Sequence, residues 1–136
     1  MTGPSQIDEN FLTIQLLLTL HDSVQTAKIL KLSQSAVSRR FTSCEKVLGL
    51  QVIRKNYRYR LVSSGYSFDA IASGLADLRL DQQKFRWSHS PSISEKQANR
   101  LQRYWYLDTS ETHGELLIAK LIKDRVLDLY FMTQSD

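Results

Sequence analysis

Residues 33–49 read SQSAVSRRFTSCEKVLG, and the spacing of their apolar side chains predicts an α-helix. The apolar residues that recur at intervals of four, three and four are Val37, Phe41, Cys44 and Leu48. At 3.6 residues per turn they fall on one side of a helix. Ser33 is a favoured N-cap residue, and Gly49 is well placed to end the helix. We therefore expect one helix that buries an apolar stripe.

The other side of this helix carries short hydrogen-bonding side chains and two cations. The residues on that side are Ser35, Ser38, Arg39, Thr42 and Lys46. An ordinary solvated helix face more often carries Glu and Lys in i,i+4 pairs. Ser, Thr and Arg side chains suit phosphates and base edges, so this face favours contact with a nucleic acid.

The charge of the chain is unevenly divided. Residues 1–66 carry nine Lys and Arg against four Asp and Glu, whereas residues 67–136 carry nine against ten. Seven of the basic residues lie between Arg39 and Arg60, with Glu45 the one acid among them. This concentration favours a polyanionic partner for the first half of the chain, although an ordinary solvated basic surface explains the count equally well.

Two helices are expected before this stretch and a hairpin after it. Asp8 is a candidate N-cap for a first helix ending near His21, and Asp22 for a second ending around Lys31. Residues 51–65, QVIRKNYRYRLVSSG, read as two short strands around a basic, aromatic tip. Three helices followed by a hairpin describe a winged helix-turn-helix, in which the third helix enters the major groove of DNA.

Over roughly residues 8–80 the sequence resembles the DNA-binding segment of LysR-type transcriptional regulators. The residues that carry the resemblance are Ser33-Gln34-Ser35-Ala36-Val37-Ser38, Glu45, Leu48-Gly49, Val52-Ile53 and Leu61 through Gly65. Asp22 stands where the family usually has a serine N-cap, and Cys44 replaces a common leucine. The hairpin is one residue short of the family pattern.

The resemblance implies that double-stranded DNA is the partner. It implies a groove-facing set and a backbone-facing set of side chains: Gln34, Ser35, Ser38 and Arg39 for the first, and Arg58 and Arg60 for the second. Together with the neighbouring polar and basic residues, the predicted DNA-binding set also includes Arg40, Thr42, Lys46, Arg54 and Lys55.

A long helix is predicted over residues 64–88. Its apolar residues form a heptad-like seam that is broken at Gln82. The seam residues are Phe68, Ile71, Leu75, Leu78 and Phe85. In the family this segment is the linker helix, which pairs two subunits, so we expect a homodimer or tetramer and a pseudo-palindromic site. The alternative is that the seam folds back onto the chain's own C-terminal part.

The polar break Ser88–Ser92 contains Pro91 and is expected to begin a third region. The predicted division is residues 1–63 for DNA binding, 64–88 for dimerisation and 89–136 for a short α/β segment. In the last region we predict strands over 101–107 and 127–132 around a helix over 109–122. Its aromatic residues are expected to be buried in an interface, either within a dimer or tetramer or with a partner protein: Tyr104, Trp105, Tyr106, Tyr130 and Phe131.

Catalysis and cofactor chemistry are not expected. Asp108, Ser110 and His113 lie close in sequence, but no nucleophile elbow or oxyanion motif accompanies them. No glycine-rich phosphate loop and no metal-ligand spacing occurs, and the single Cys44 fits a reducing compartment. The apolar run Phe11–Leu20 is too short to span a membrane, so a cytoplasmic, nucleoid-associated protein is expected.

The predicted fold class is mainly α: a winged helix-turn-helix, a long dimerisation helix and a small α/β remnant. The predicted function is a sequence-specific DNA-binding transcriptional regulator that lacks the full effector-binding domain of the family and a small-molecule effector. The alternative is a truncated LysR-like protein that forms heterodimers with a full-length regulator and modulates it.

Overall fold

The computed structural model describes residues 6–63, 67–110 and 115–132, and within them the chain is mainly α. The described residues form six α-helices and five β-strands. The chain divides into two compact units, one up to Ser73 and one from Gly74 onward. None of the helices in these ranges combines the length and the apolar character that a bilayer crossing requires.

Three helices begin the first unit, namely α1 (Gln6–Leu20), α2 (Ser23–Leu30) and α3 (Gln34–Glu45). Two of the three predicted caps, Asp22 and Ser33, are confirmed. The Asp22 carboxylate accepts hydrogen bonds from the backbone N–H groups of Val24 and Gln25, at 2.8 and 3.3 Å. The Ser33 hydroxyl accepts one from the N–H of Ala36 at 3.1 Å. The prediction that Asp8 caps α1 is wrong, because that helix is already formed at Gln6.

The core of the first unit is built between α1 and α3. Val37 and Phe41 are completely buried, as the stripe predicted, whereas Cys44 is only half-buried. α3 ends before Leu48. That residue lies in the turn after the helix, and its side chain is still buried. That turn is the expected one: Gly49 has a φ of +66°, and the N–H of Leu50 donates to the carbonyl of Glu45 at 3.0 Å.

The predicted hairpin is confirmed as an antiparallel pair, β1 (Gln51–Lys55) and β2 (Arg58–Ser63). Its inward-facing residue Tyr59 is buried and packs edge-on against the Phe41 ring, 5.2 Å between centroids. The N–H of Tyr59 also donates to the carbonyl of His21 at 3.1 Å. The hairpin is therefore held both by the apolar side of α3 and by the junction between α1 and α2.

The long helix is shorter than predicted. α4 spans Ser67–Asp81, and the start expected at residues 64–66 lies outside the described ranges. The helix ends in a Schellman turn, because Gln83 has a φ of +54° and the N–H of Lys84 donates to the carbonyl of Arg79 at 2.8 Å. Glycine is the usual residue at the positive-φ position after a helix, and glutamine is rare there. No residue typical of a helix end therefore marks the end of α4 in the sequence.

The second unit contains a parallel sheet, and its central strand was not predicted from the sequence. The strands β4 (Trp105–Tyr106), β3 (Arg86–His89) and β5 (Leu129–Phe131) lie side by side in that order. Phe85 and Trp87 alternate with the polar residues Arg86 and Ser88, a period of two that is typical of a strand, whereas the prediction placed these residues in a helix. The predicted boundary at Ser88 therefore cuts through a strand, and the N–H of Ser90 still donates to the carbonyl of Phe131.

Two short helices connect these strands, α5 (Glu95–Asn99) and α6 (Glu115–Lys123). The predicted strand over 101–107 is largely wrong, because only Trp105 and Tyr106 pair with β3, and α5 was not predicted. The helix predicted from residue 109 is described from Glu115, and residues 111–114 lie outside the described ranges. The strand predicted within 127–132 is confirmed as β5.

The central strand lies against several of the aromatic side chains that were predicted to be buried in an interface. The Phe85 and Tyr104 rings stack at 4.2 Å between centroids, and the Trp87 and Tyr106 rings lie 4.8 Å apart. Burial, with Asp108 and Tyr130 nearby, raises the pKa of Tyr106 above its ordinary value. Phe131 keeps more than a third of its surface exposed. Tyr104, Trp105, Tyr106 and Tyr130 are thus half-buried within the chain, and the interface predicted to cover the remaining aromatic surface stays a prediction.

A buried ion pair stabilises the second unit. Arg79, near the end of α4, donates from Nε and Nη2 to the two carboxylate oxygens of Asp128 at 2.7 and 2.9 Å. Asp128 also accepts from the backbone N–H of Arg86 at 2.7 Å. The side chains of Arg79 and Asp128 are only 5 and 8% exposed. The carboxylate therefore joins the end of α4 to the first residue of the central strand.

Candidate nucleic-acid interface

The outward face of α3 is polar over its whole length. Gln34, Ser35, Arg39 and Thr42 are exposed, and Ser38 is half-buried. Lys46, also exposed, follows as the C-cap residue of the helix. Since the opposite side is anchored by fully buried residues, the helix cannot roll these side chains inward without losing its core contacts.

The hairpin turn lies beside the N-terminal half of α3 and closes a cleft of about 360 Å³ with it. The cleft is lined by hydroxyl, amide, cationic and aromatic side chains: Ser23, Gln34, Ser35, Ser38, Arg54, Lys55, Asn56, Tyr57 and Tyr59. No carboxylate is among these lining residues. An open, positively charged cleft rich in hydrogen-bond donors suits an extended polyanion.

Two backbone contacts position the turn at this cleft. The N–H of Ser23, the first residue of α2, donates to the carbonyl of Tyr57 at 2.9 Å. The N–H of Tyr59 donates to the carbonyl of His21 at 3.1 Å, and these two hydrogen bonds make Asp22 and Arg58 an isolated β-bridge. The Arg58 guanidinium also lies 3.8 Å from the Asp22 carboxylate. The residue that caps α2 is therefore also the point at which the hairpin attaches to the start of that helix.

Three of the seven predicted cations are engaged in intramolecular contacts. Arg40 turns toward α1, where it lies 3.4 Å from the Thr13 hydroxyl and 3.8 Å from Glu9. Arg54 pairs with Glu45, and its guanidinium lies over the Phe41 ring at 4.6 Å. Arg58 pairs loosely with Asp22 but keeps 63% of its side chain exposed. Arg40 and Arg54 therefore have structural contacts that DNA would have to compete with.

The other four cations have no ion pair within the described parts of the chain. They are Arg39, Lys46, Lys55 and Arg60. Lys55 and Arg60 lie with Arg58 on the outer side of the hairpin, where a second open cleft of about 340 Å³ also contacts Ile53 and His21. The free cations thus occupy the outward side of α3 and the outer side of the hairpin.

Four of the five residues predicted for a dimerisation seam lie on α4. Phe68 is half-buried and its ring lies 5.1 Å from that of Phe11, so it packs inside the first unit. Ile71 and Leu75 are half-buried, and Leu78 is 50% exposed. The prediction that Phe85 belongs to the seam is wrong, because that residue follows the helix end and stacks on Tyr104.

Of the three residues considered for catalysis, Asp108 and Ser110 serve a turn. The Asp108 carboxylate accepts a hydrogen bond from the N–H of Ser110 at 3.0 Å. His113 lies outside the described residues.

The site also contains residues that the sequence prediction did not include. Asn56 and Tyr57 form the two-residue turn between β1 and β2, and Tyr57 lines the cleft with 65% of its surface exposed. The only signal available in the sequence was a tyrosine in a turn flanked by cations. Its position beside Gln34 and Ser38 depends on how the hairpin docks.

Comparisons with known proteins give a partial likeness to a solved structure. No protein-family model matches the sequence, and no curated protein matches it. A crystal structure of a LysR family transcriptional regulator resembles the chain with a TM-score of 0.46 and 19% sequence identity. The likeness covers 92% of this chain and 52% of that one, so the chain spans about half the length of that regulator.

Proposed function

We propose that this chain is a sequence-specific, double-stranded DNA-binding transcriptional regulator. The observation that carries the proposal is the two-sided character of α3. Val37 and Phe41 are fully buried on one side, while Gln34, Ser35 and Arg39 are exposed on the other beside a basic cleft. A helix anchored in this way is suited to insertion in a major groove, which is wide enough to admit it.

The arrangement around α3 supports a winged helix-turn-helix interpretation. α2 and α3 are separated by a short turn in which Lys31 has a φ of +57°, and the two-stranded hairpin follows α3 directly. In this mode α3 is the recognition helix and the hairpin lies along the DNA backbone. Gln34 and Arg39 then have the chemistry to read adenine and guanine edges, and the hairpin cations have the chemistry to bind phosphates.

The first test is the salt dependence of DNA binding. If Lys46, Lys55 and Arg60 each neutralise one phosphate, log K should fall with log salt with a slope of about −2.7. Binding constants for a duplex selected from a random pool, measured by fluorescence anisotropy over a range of salt concentrations, give this slope. Absence of binding to any duplex at low salt would contradict the proposed function.

We further propose that the protein binds a pseudo-palindromic site as a homodimer through α4. Leu78 is half exposed on the predicted seam, and a Leu78→Asp variant should become monomeric because it places a charge in the apolar contact. Leu80→Asp is the matched control, since Leu80 is 56% exposed two residues away and therefore on another side of the helix. Equal masses for both variants and the wild type in solution would contradict this seam.

The second candidate is an interaction protein that forms heterodimers with a longer regulator and modulates it. The exposed leucines of α4 favour it as much as they favour the homodimer. The two candidates differ in what the purified protein does alone. Protection of a duplex with two half-sites supports direct regulation, whereas stable heterodimers without any shift of DNA support the interaction protein.

A further inference from the structure

The backbone conformation of the hairpin turn is unfavourable for Tyr57, one of its two residues. Asn56 and Tyr57 have φ values of +52° and +66°, as a two-residue type I′ turn requires. Asparagine adopts this region readily, but the second position strongly favours glycine, and a bulky side chain there is an outlier. Tyr57 therefore introduces backbone strain that a glycine would avoid.

The fold gains little from the Tyr57 side chain. Its neighbour Tyr59 is buried against Phe41, whereas 65% of Tyr57 is exposed and its ring has no aromatic or cation–π partner among the described residues. What holds the turn against α2 is the carbonyl oxygen of Tyr57, which accepts from Ser23. A glycine would retain that backbone contact. Strained conformations that packing does not explain concentrate at functional sites.

The surroundings of Tyr57 indicate what it touches. It lines the same cleft as Gln34, Ser35 and Ser38 of α3, and Lys55 stands next to the turn. This places the ring at the border between the groove-reading face and the hairpin cations, where the sugar–phosphate strand flanking the groove would run. A tyrosine has an apolar ring to pack on deoxyribose and a hydroxyl to donate to a phosphate oxygen.

We propose that Tyr57 is a DNA-contacting residue, packing its ring on a deoxyribose and donating its hydroxyl to the adjacent phosphate. The inference rests on the proposed function and adds a contact to the predicted set. Since the contact is with the backbone, it contributes affinity without base preference. Since tyrosine is neutral, it does so without releasing an additional counterion.

The test is a Tyr57→Gly substitution in the full chain. We expect binding to the selected duplex and to an unrelated duplex to weaken by the same factor, about tenfold, which is the scale of one hydrogen bond to a charged group. The slope of log K against log salt should stay unchanged. The melting temperature should stay the same or rise, because glycine relieves the positive φ.

Tyr57→Asn is the second variant, because asparagine adopts a positive φ readily but leaves the turn less free than glycine does. It should lose affinity for both duplexes by the same factor as Tyr57→Gly, and wild-type binding by Tyr57→Asn would overturn the inference by assigning the loss in Tyr57→Gly to turn geometry. A drop in melting temperature together with DNA affinity in Tyr57→Gly would also overturn it, since the side chain would then be structural. If the wild type binds DNA and Tyr57→Gly binds equally well, only this inference fails; if the wild type binds no duplex, the proposed function fails as well.

Discussion

Replacing Asp128 by alanine should destabilise the second unit by about 3–5 kcal/mol. The substitution leaves the guanidinium of Arg79, which is only 5% exposed, without its two carboxylate contacts. It also removes the acceptor of the Arg86 N–H. A buried charge that loses its partner cannot recover its hydration, so the loss exceeds what the pair itself contributed.

Tryptophan fluorescence during denaturant unfolding measures this effect locally. Both tryptophans of the chain, Trp87 and Trp105, lie in the second unit, so their emission reports its unfolding. Asp77→Ala is the matched control, because Asp77 is an exposed aspartate of the same unit. An unfolding midpoint for Asp128→Ala equal to that of the control would contradict a structural role for the ion pair.

Replacing Arg39 by alanine should weaken DNA binding by about 1–3 kcal/mol and relax the preference for the selected duplex. Arg39 is exposed on the outward face of α3 and has no ion pair within the described residues. If its guanidinium reads a base edge, the loss should be larger for the selected duplex than for an unrelated one. Anisotropy titrations with both duplexes give the two losses separately.

The adjacent Arg40 provides a control with the same charge and side chain. It points to Thr13 and Glu9, so Arg40→Ala should lower DNA affinity only through the loss of net charge and should not change sequence preference. Affinity losses of equal size and equal sequence dependence in the two variants would show that α3 is not oriented toward DNA as proposed.

The first unit was largely predictable because its signals are local. Asp22 and Ser33 cap helices through hydrogen bonds to residues two or three positions ahead, and Gly49 ends a helix through its own φ. The stripe of Val37 and Phe41 requires only the period of the helix. Such interactions lie within a few residues of one another, so their pattern can be read along the chain.

The second unit was poorly predictable because its determinants are distant in sequence. Arg86–His89 is a strand because it pairs with Trp105–Tyr106 on one side and Leu129–Phe131 on the other. Considered alone, Phe85 continues an apolar seam, and no glycine or proline marks the helix end at Asp81. A strand of four residues is stabilised by its neighbours rather than by its own propensity.

The sequence by itself determined which helices form in the first unit, which side of α3 is buried, and where the positive charge is concentrated. Only the tertiary structure decided which cations are left for a ligand. Arg39 and Arg40 are neighbours with identical chemistry, yet one faces solvent and the other faces Thr13, because successive helical residues point about 100° apart and α1 packs on one of those directions. The position of Tyr57 is also decided by the tertiary structure. The hydrogen bond between Ser23 and the carbonyl of Tyr57 holds the hairpin turn beside the outward face of α3, and it joins residues that are far apart in the chain.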